Sequence, residues 1–313
     1  MKDIDAELRK ILGEDLRQNV VLRDYVSMKV GGVADFFYSA TDINNLTLAV
    51  SAAVKLKIPY FILGGGYNII PSDLGFPGLV IKNDCSNIVF SPDFSGVIAD
   101  SGVNLGRLIN QATSHDLGGL EFLFGVPSSV GGAVYGNAGA LGQSIGDFVK
   151  SVTLLIPKDD TVVIVRHSPA WMSFAYRSSI LKTDYRKDKH KPVILTVTLQ
   201  LVQRRKDEIL RMTQENMAVK KKNQPLGEIS AGSFFKNLGA LPENSAGYLI
   251  DHSGAKKLRV GGAAFSKKHA NFLINRKNAT ASDVHDLAEK AKELVKEKYD
   301  CDLEEEIEYI GRW

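Results

Sequence analysis

Apolar residues recur along this chain in two rhythms, and the rhythm changes mark the elements. Ile4, Leu8, Ile11 and Leu12 are spaced three to four apart among charged residues, which predicts an amphipathic N-terminal helix. Val33–Ala40 (VADFFYSA), dense in aromatic and branched residues, predicts a strand. Thr41 or Asp42 then caps a helix with Leu46, Ala49, Val50, Ala53 and Val54 on one face, ended by Ile58-Pro59. Tyr60–Leu63 is a second strand that runs straight into Gly64-Gly65-Gly66-Tyr67-Asn68. A strand emptying into a glycine turn either presents backbone amides to phosphate or is simply a tight turn.

Leu79–Lys82 and Gly96–Asp100 read as strands, and Asn104 caps a helix with Leu105, Leu108, Ile109 and Ala112 inward, stopped by Gly118-Gly119. Val152–Ile156, Val162–Val165 and Val193–Leu201 are further strands. The charged segment 203–223 reads as a solvated connecting helix, its Lys220-Lys221-Lys222 included. Thr280 or Ser282 caps a helix with Val284, Leu287, Ala288, Ala291, Leu294 and Val295 on one face. Leu303–Ile310 alternates as a last strand, with Leu303, Ile307 and Tyr309 on one face and Glu304, Glu306 and Glu308 on the other, a solvated edge in its simplest reading.

The stretch Gly125–Gly142 (GVPSSVGGAVYGNAGALG) breaks both rhythms. Six glycines with almost no charge imply backbone that turns sharply or approaches something closely. Bare amides rimmed by Ser128, Ser129 and Asn137 would hold an anion, whereas a close-packed turn would need no ligand. The run is neither a Walker loop, lacking Gly-Lys-Ser/Thr, nor a G-x-G-x-x-G dinucleotide fingerprint.

Composition narrows the classes. At 313 residues the chain exceeds a single core. A formal net charge of +3 is too slight to argue for nucleic acid or an anionic membrane. Two distant cysteines, Cys85 and Cys301, indicate neither a disulfide framework nor zinc, and six scattered histidines give no metal motif. With no signal peptide and no apolar run of spanning length, the expectation is a cytoplasmic protein. Three polar spots stand out. Ser233 lies in a bare, apolar setting between Gly232 and Phe234-Phe235. Arg177 follows Phe174-Ala175-Tyr176, and its fork suits a carboxylate. The third is the glutamate row of 303–310. A turn former, a structural ion pair and a solvated edge are the plainer readings of these three.

In order along nearly the whole chain, these segments resemble the UDP-N-acetylenolpyruvoylglucosamine reductase family, also called UDP-N-acetylmuramate dehydrogenase. The matching stretches are 25–35 (YVSMKVGGVAD), Ile62–Ile70 (ILGGGYNII), the central glycine run, 174–179 (FAYRSS), Ser230–Asn237 (SAGSFFKN), Ser245–Asn275 (SAGYLIDHSGAKKLRVGGAAFSKKHANFLIN) and 303–307 (LEEEI). The short path from Leu201 to Ser233 is similar to the family's second type, without the extra Tyr-bearing loop. The family commonly has Ser where this chain has Tyr67, Gly at Ser128, Tyr at Leu141 and Pro at Leu238.

The resemblance implies an α+β protein: a two-subdomain FAD-binding fold of the vanillyl-alcohol-oxidase/PCMH type plus a C-terminal α+β substrate domain. The expected division is 1–84 and 85–203 for FAD and 204–313 for substrate. It implies non-covalent FAD held by Gly64, Gly65, Gly66, Tyr67, Asn68, Gly125, Pro127, Ser128, Ser129, Gly132, Asn137 and Gly139. NADPH is the implied hydride donor, and UDP-N-acetylglucosamine enolpyruvate, reduced to UDP-N-acetylmuramate for peptidoglycan, is the implied substrate. Carried over position by position, Arg177 stabilises the enolate-like carboxylate, Glu306 assists as a hydrogen-bond donor and Ser233 protonates carbon. Tyr176, Lys236 and Asn237 hold substrate or NADPH. No metal, nucleic-acid or membrane partner is expected, and the protein is expected to be a monomer.

Overall fold

The computed structural model describes residues 2–92, 95–185 and 190–313. The chain divides into two compact units. The first comprises Met1–Gln18, Phe36–Gly65 and Gly78–Ala218; the second comprises Asn19–Asp35, Gly66–Pro77 and Val219–Trp313. The chain passes between them inside strands Arg17–Val21, Val33–Ala40 and Phe76–Asn83 and inside helix Lys206–Asn223.

In the first unit, a five-stranded antiparallel sheet has the order Thr161–His167, Val149–Lys158, Val193–Gln200, Gly96–Asp100, Ile88–Phe90. Its alternating residues feed two cores, as a sheet buried on both faces must. Val152, Leu154, Val197 and Leu199 pack with Leu105, Leu108 and Ile109 of helix Leu105–Ser114 and with Val130 and Val134 of helix Val130–Tyr135. Leu155, Val193 and Leu195 pack instead with Leu8 and Leu12 of helix Lys2–Leu12 and with Leu46, Ala49, Val50 and Ala53 of helix Ile43–Lys55. Asp42 is the cap of that last helix, accepting from Asn45 N. Asn104 accepts from Arg107 N in the same way. Each such cap stabilises its helix by about 1 kcal/mol. Tyr60–Leu63 runs parallel to Leu79–Lys82, which lies between it and Val33–Ala40 in the sheet order.

In the second unit, Ser230–Ser233, Phe272–Asn275, Ala263–Phe265 and Arg259–Val260 form a four-stranded antiparallel sheet in that order. Helix Ala281–Tyr299, capped by Thr280 with Asp283 completing a capping box, lays Val284, Leu287, Ala288, Ala291 and Val295 into its core. Met28, Val30 and Ile70 from early in the chain complete that core. Ile69–Pro71 pairs in parallel with Glu308–Ile310.

Three expectations are corrected, and one short helix is added. Helix Leu105–Ser114 stops at His115, before the glycines: Leu117–Gly118 instead pairs with Val202–Gln203, and Gly119 turns at φ +115° where a Cβ would meet Phe148 at 2.6 Å. The central glycine run contains a short helix, Val130–Tyr135, capped by Ser129. Leu303–Ile310 is a strand only over Glu308–Ile310, with a single bridge upstream between Phe235 and Glu305. Lys220 is buried, 9% exposed, and removal from water pushes its amine down to about 8. A run of three lysines conceals which one turns inward.

Candidate active site

Within the first unit, the start of the glycine turn and the central glycine run come together at one point. A Cβ on Gly64 would lie 2.6 Å from Ser129 Oγ. That oxygen accepts from Gly132 N (3.2 Å) to begin helix Val130–Tyr135. The amides of the first turn are committed inward: Val130 N donates to Val103 O, and Gly131 N to Ser101 O. The run is therefore no bare anion nest at that helix start. Its glycines serve close approach: a Cβ on Gly131 would meet Ser101 Cβ at 2.7 Å. The outward surface is backbone-lined, with Gly65, Gly125, Pro127 and Gly132 exposed and Ser128 half-buried. Glycines on such a surface let a flat group approach the main chain closely. Gly64, Gly65, Gly125, Pro127, Ser128 and Gly132 are thus residues of this unit that could hold a cofactor.

Asn137 has a different task. It is buried, in the left-handed region at φ 44°, and both ends of its amide are engaged. Nδ2 donates to Ala175 O (2.9 Å), and Oδ1 accepts from Gly146 N (3.0 Å). Ser179 Oγ, also buried, donates to Tyr135 O (2.7 Å). Between these two anchors the chain makes a tight turn closed by reciprocal bonds between Ala175 and Ser178. Tyr176 and Arg177 form its tip, and Arg177 takes φ 52°. A non-glycine residue in that region costs of order 1 kcal/mol and persists where surroundings over-determine it. The Arg177 guanidinium lies 5.9 Å from the centre of the exposed Tyr176 ring. Among the described residues of this unit, Arg177 is therefore a cation held by a turn pinned directly to the central glycine run.

Within the second unit, Ser233 and Glu306 are joined through main chain. Ser233 ends its strand after a register shift, and Gly232, at φ +83° with open space where a Cβ would stand, allows that irregularity. Such a bulge re-aims the next side chain. Phe234 and Phe235 are fully buried and anchor the residues on either side of them. Phe234 O accepts from Glu306 N (2.8 Å), and Lys236 N donates to Glu304 O (2.8 Å). Glu305, between them, turns to the other face, with Leu303 and Ile307, and meets Lys292 Nζ at 2.6 Å, while Glu304 stays exposed. Glu304 pairs with the Lys236 ammonium. Asn68 belongs to this group: its Nδ2 donates to Glu306 O (3.0 Å), and its carbonyl accepts from Glu308 N (2.9 Å). Gly66 is packed so closely that a Cβ would lie 2.1 Å from Tyr25 O, and Ser27 Oγ donates to the carbonyl of the exposed Tyr67. Asn237 Oδ1 accepts from Ala246 N (3.1 Å) at the start of helix Ala246–Ser253.

The unit division splits the residues named from sequence. Gly64, Gly65, Gly125, Pro127, Ser128, Ser129, Gly132, Asn137, Gly139, Tyr176 and Arg177 lie in the first unit. Gly66, Tyr67, Asn68, Ser233, Lys236, Asn237 and Glu306 lie in the second. Residues that sequence reasoning missed are Asn271, which binds the Phe235 peptide, and Lys292, which holds Glu305. An asparagine inside the apolar run 270–274 was the one available signal for the former. Among the described residues, no cluster of three or more His, Cys, Asp or Glu is arranged to hold a metal ion, and no helix is long and apolar enough to cross a membrane.

Comparison with known proteins gives the family and the fold. Residues 224–310 match the model of the UDP-N-acetylenolpyruvoylglucosamine reductase C-terminal domain, and residues 34–165 match an FAD binding domain. The chain is 38% identical to the UDP-N-acetylenolpyruvoylglucosamine reductase of Clostridium novyi, over 99% of this chain and 97% of that one. It is 35% identical to the Bacillus licheniformis protein of the same name, over 99% of both. The crystal structure of UDP-N-acetylenolpyruvylglucosamine reductase from Thermus caldophilus superposes with a TM-score of 0.77 at 33% identity, covering 94% of this chain and 99% of that one. The fold is the FAD-binding α+β fold with a C-terminal α+β domain that the sequence predicted. With relatives above 30% identity along its whole length, the chain belongs to the UDP-N-acetylenolpyruvoylglucosamine reductase family and is an FAD-dependent oxidoreductase.

Proposed function

We propose that this protein reduces UDP-N-acetylglucosamine enolpyruvate to UDP-N-acetylmuramate with NADPH, in the synthesis of peptidoglycan precursors. Functionally, residues 1–84 and 85–203 are the FAD-binding subdomains and 204–313 the substrate-binding domain. Bound FAD supplies the hydride chemistry, and the protein supplies position and electrostatics. Arg177 receives the substrate carboxylate, as its cationic, tightly anchored turn suits it to do. Negative charge that develops there needs a nearby donor, and a guanidinium carried on a pinned turn costs less reorganisation than one on a free loop. Ser233 gives a proton to the carbon next to the carboxylate. Glu306 stands beside that step as a hydrogen-bond donor, and Tyr176, Lys236 and Asn237 hold the nucleotide or NADPH.

The observation that carries the reading is the bond from Glu306 N to Phe234 O, which ties the glutamate's main chain to the peptide following Ser233. A hydroxyl placed by a glycine bulge, and a glutamate whose main chain is one hydrogen bond from the same segment, suit controlled protonation of carbon. The test is stopped-flow flavin absorbance with Ser233→Ala. NADPH should bleach the flavin at nearly the wild-type rate, while re-oxidation by the enolpyruvyl substrate slows by about two to three powers of ten. Equal loss in both half-reactions would remove Ser233 from the role given to it.

A further inference from the structure

Ser233 and Glu306 are tied through the short segment Phe234–Lys236, so whatever holds that segment holds both. On one side stand Glu304 and Glu306, through the Lys236 N–Glu304 O and Glu306 N–Phe234 O bonds. On the other side the neighbouring strand has run out, since its last pair is Ser233 with Phe272. Asn271 takes over there. Its main-chain carbonyl accepts from Phe234 N (2.8 Å). Its side chain then replaces a missing strand residue: Oδ1 accepts from Phe235 N (2.9 Å) and Nδ2 donates to Phe235 O (2.8 Å). Its own amide is held by His269 Nδ1 (3.2 Å). Asn271 is 3% exposed, and Phe235 is 1% exposed. Water therefore has no access to replace either side-chain bond, and a buried peptide left without partners shifts until it finds some.

We propose that Asn271 is a positioning residue for the reduction, fixing the peptide plane from which Ser233 and Glu306 are aimed. Only a carboxamide of this length supplies a donor and an acceptor at once: aspartate keeps the acceptor and loses the donor, and alanine loses both. The inference rests on the roles proposed for Ser233 and Glu306. Asn271 is buried and acts through the Phe235 peptide, so its loss is read chiefly at the protonation step that Ser233 and Glu306 serve.

The experiment compares the two flavin half-reactions in Asn271→Ala, Asn271→Asp, Ser233→Ala and the double variant Ser233→Ala/Asn271→Ala, each saturated with FAD. Flavin bleaching by NADPH should stay within about twofold of wild type in all four. Re-oxidation by UDP-N-acetylglucosamine enolpyruvate should slow about 10- to 100-fold in Asn271→Ala, the cost of displacing a reacting group by about 1 Å. Asn271→Asp, which keeps the bond to the Phe235 amide, should fall between it and wild type, and carries the test if the alanine variant does not fold. The double variant should be slower than Ser233→Ala by much less than the factor Asn271→Ala shows alone, because the hydroxyl's share of the aim is already gone and only the Glu306 share remains to be lost. Equal loss of both half-reactions in the Asn271 variants, wild-type re-oxidation in them, or multiplied losses in the double variant would each overturn the assignment. If Ser233→Ala itself re-oxidises at the wild-type rate, it is the underlying role of Ser233 that fails.

Discussion

A methyl group added at Gly64 tests the meeting of the two glycine loops more sharply than any charge change. The Cβ would stand 2.6 Å from Ser129 Oγ but 3.4 Å from Ser129 Cβ, and Gly64 has no unusual φ, so the conflict is with one oxygen atom. Ser129 is buried and its oxygen caps helix Val130–Tyr135, so it cannot yield freely. Displacing it forfeits the cap, about 1 kcal/mol, and forces an off-rotamer χ1 of a further ~1 kcal/mol. Gly64→Ala should then cost about 2 kcal/mol, within the range for overpacking. Ser129→Ala alone loses only the cap, about 1 kcal/mol. In the double variant the offending oxygen is gone and the two carbons sit in ordinary contact, so the pair should cost little more than Ser129→Ala. The coupling is thus of order 2 kcal/mol, far above the few tenths found between independent sites. Thermal unfolding of FAD-saturated protein would read Gly64→Ala as a fall of roughly 4–8 °C, with the double variant recovering about half of it. Fluorescence of released flavin should show weaker FAD binding in Gly64→Ala and a partial return in the double variant. Strictly additive losses would refute the claim that Gly64 is a glycine on account of Ser129.

The same geometry sets three further outcomes. Asn137→Ala removes the partners of Ala175 O and Gly146 N, both in part-buried bonds; it should cost about 1–3 kcal/mol in urea unfolding. It should also slow re-oxidation by the enolpyruvyl substrate, because the Arg177 turn loses an anchor. Gly232→Ala meets no atom but must adopt φ +83°, a strain of roughly 1–2 kcal/mol; a small fall in Tm with a larger fall in turnover is expected. Lys220 carries a native pKa lowered to about 8 from 10.5, so the native state is penalised while the amine is protonated. The unfolded chain holds that proton more tightly, and stability should rise between pH 8 and 10.5 by up to about 3 kcal/mol. Lys220→Met should flatten that rise and be the more stable protein at pH 7, as urea unfolding at pH 7 and pH 10 would measure.

Features decided locally could be read from the sequence. Asp42, Asn104 and Thr280 announced their helices because a cap and its amide are three residues apart. Strands Val33–Ala40 and Tyr60–Leu63 ran to their predicted ends because branched and aromatic residues crowd them. Arg177, Ser233 and Glu306 were picked out through a resemblance, their composition alone being equivocal. Features that escaped depended on distant partners. Asn271 meets Phe235 across 36 residues, and Asn137 meets Ala175 across 38. The inward face of Lys220 and the inward turn of Glu305 were hidden in runs of like charge, where only tertiary packing chooses a member. The inward commitment of the amides at 130 and 131 was hidden because glycine signals closeness without saying to what.

The discontinuity of the second unit bears on how the polypeptide matures as it leaves the ribosome. Met28, Val30 and Ile70 are synthesised early, yet their apolar companions, from Phe234 to Ile307, come last. At ordinary translation speeds those early segments wait on the order of ten seconds or longer with nothing to cover them. Strand Ile69–Pro71 meanwhile lacks its partner Glu308–Ile310, which is made much later. A nascent chain stalled before Glu308–Ile310 is made would therefore expose sticky surface around Met28, Val30 and Ile70, and holding chaperones should associate with it until that stretch emerges.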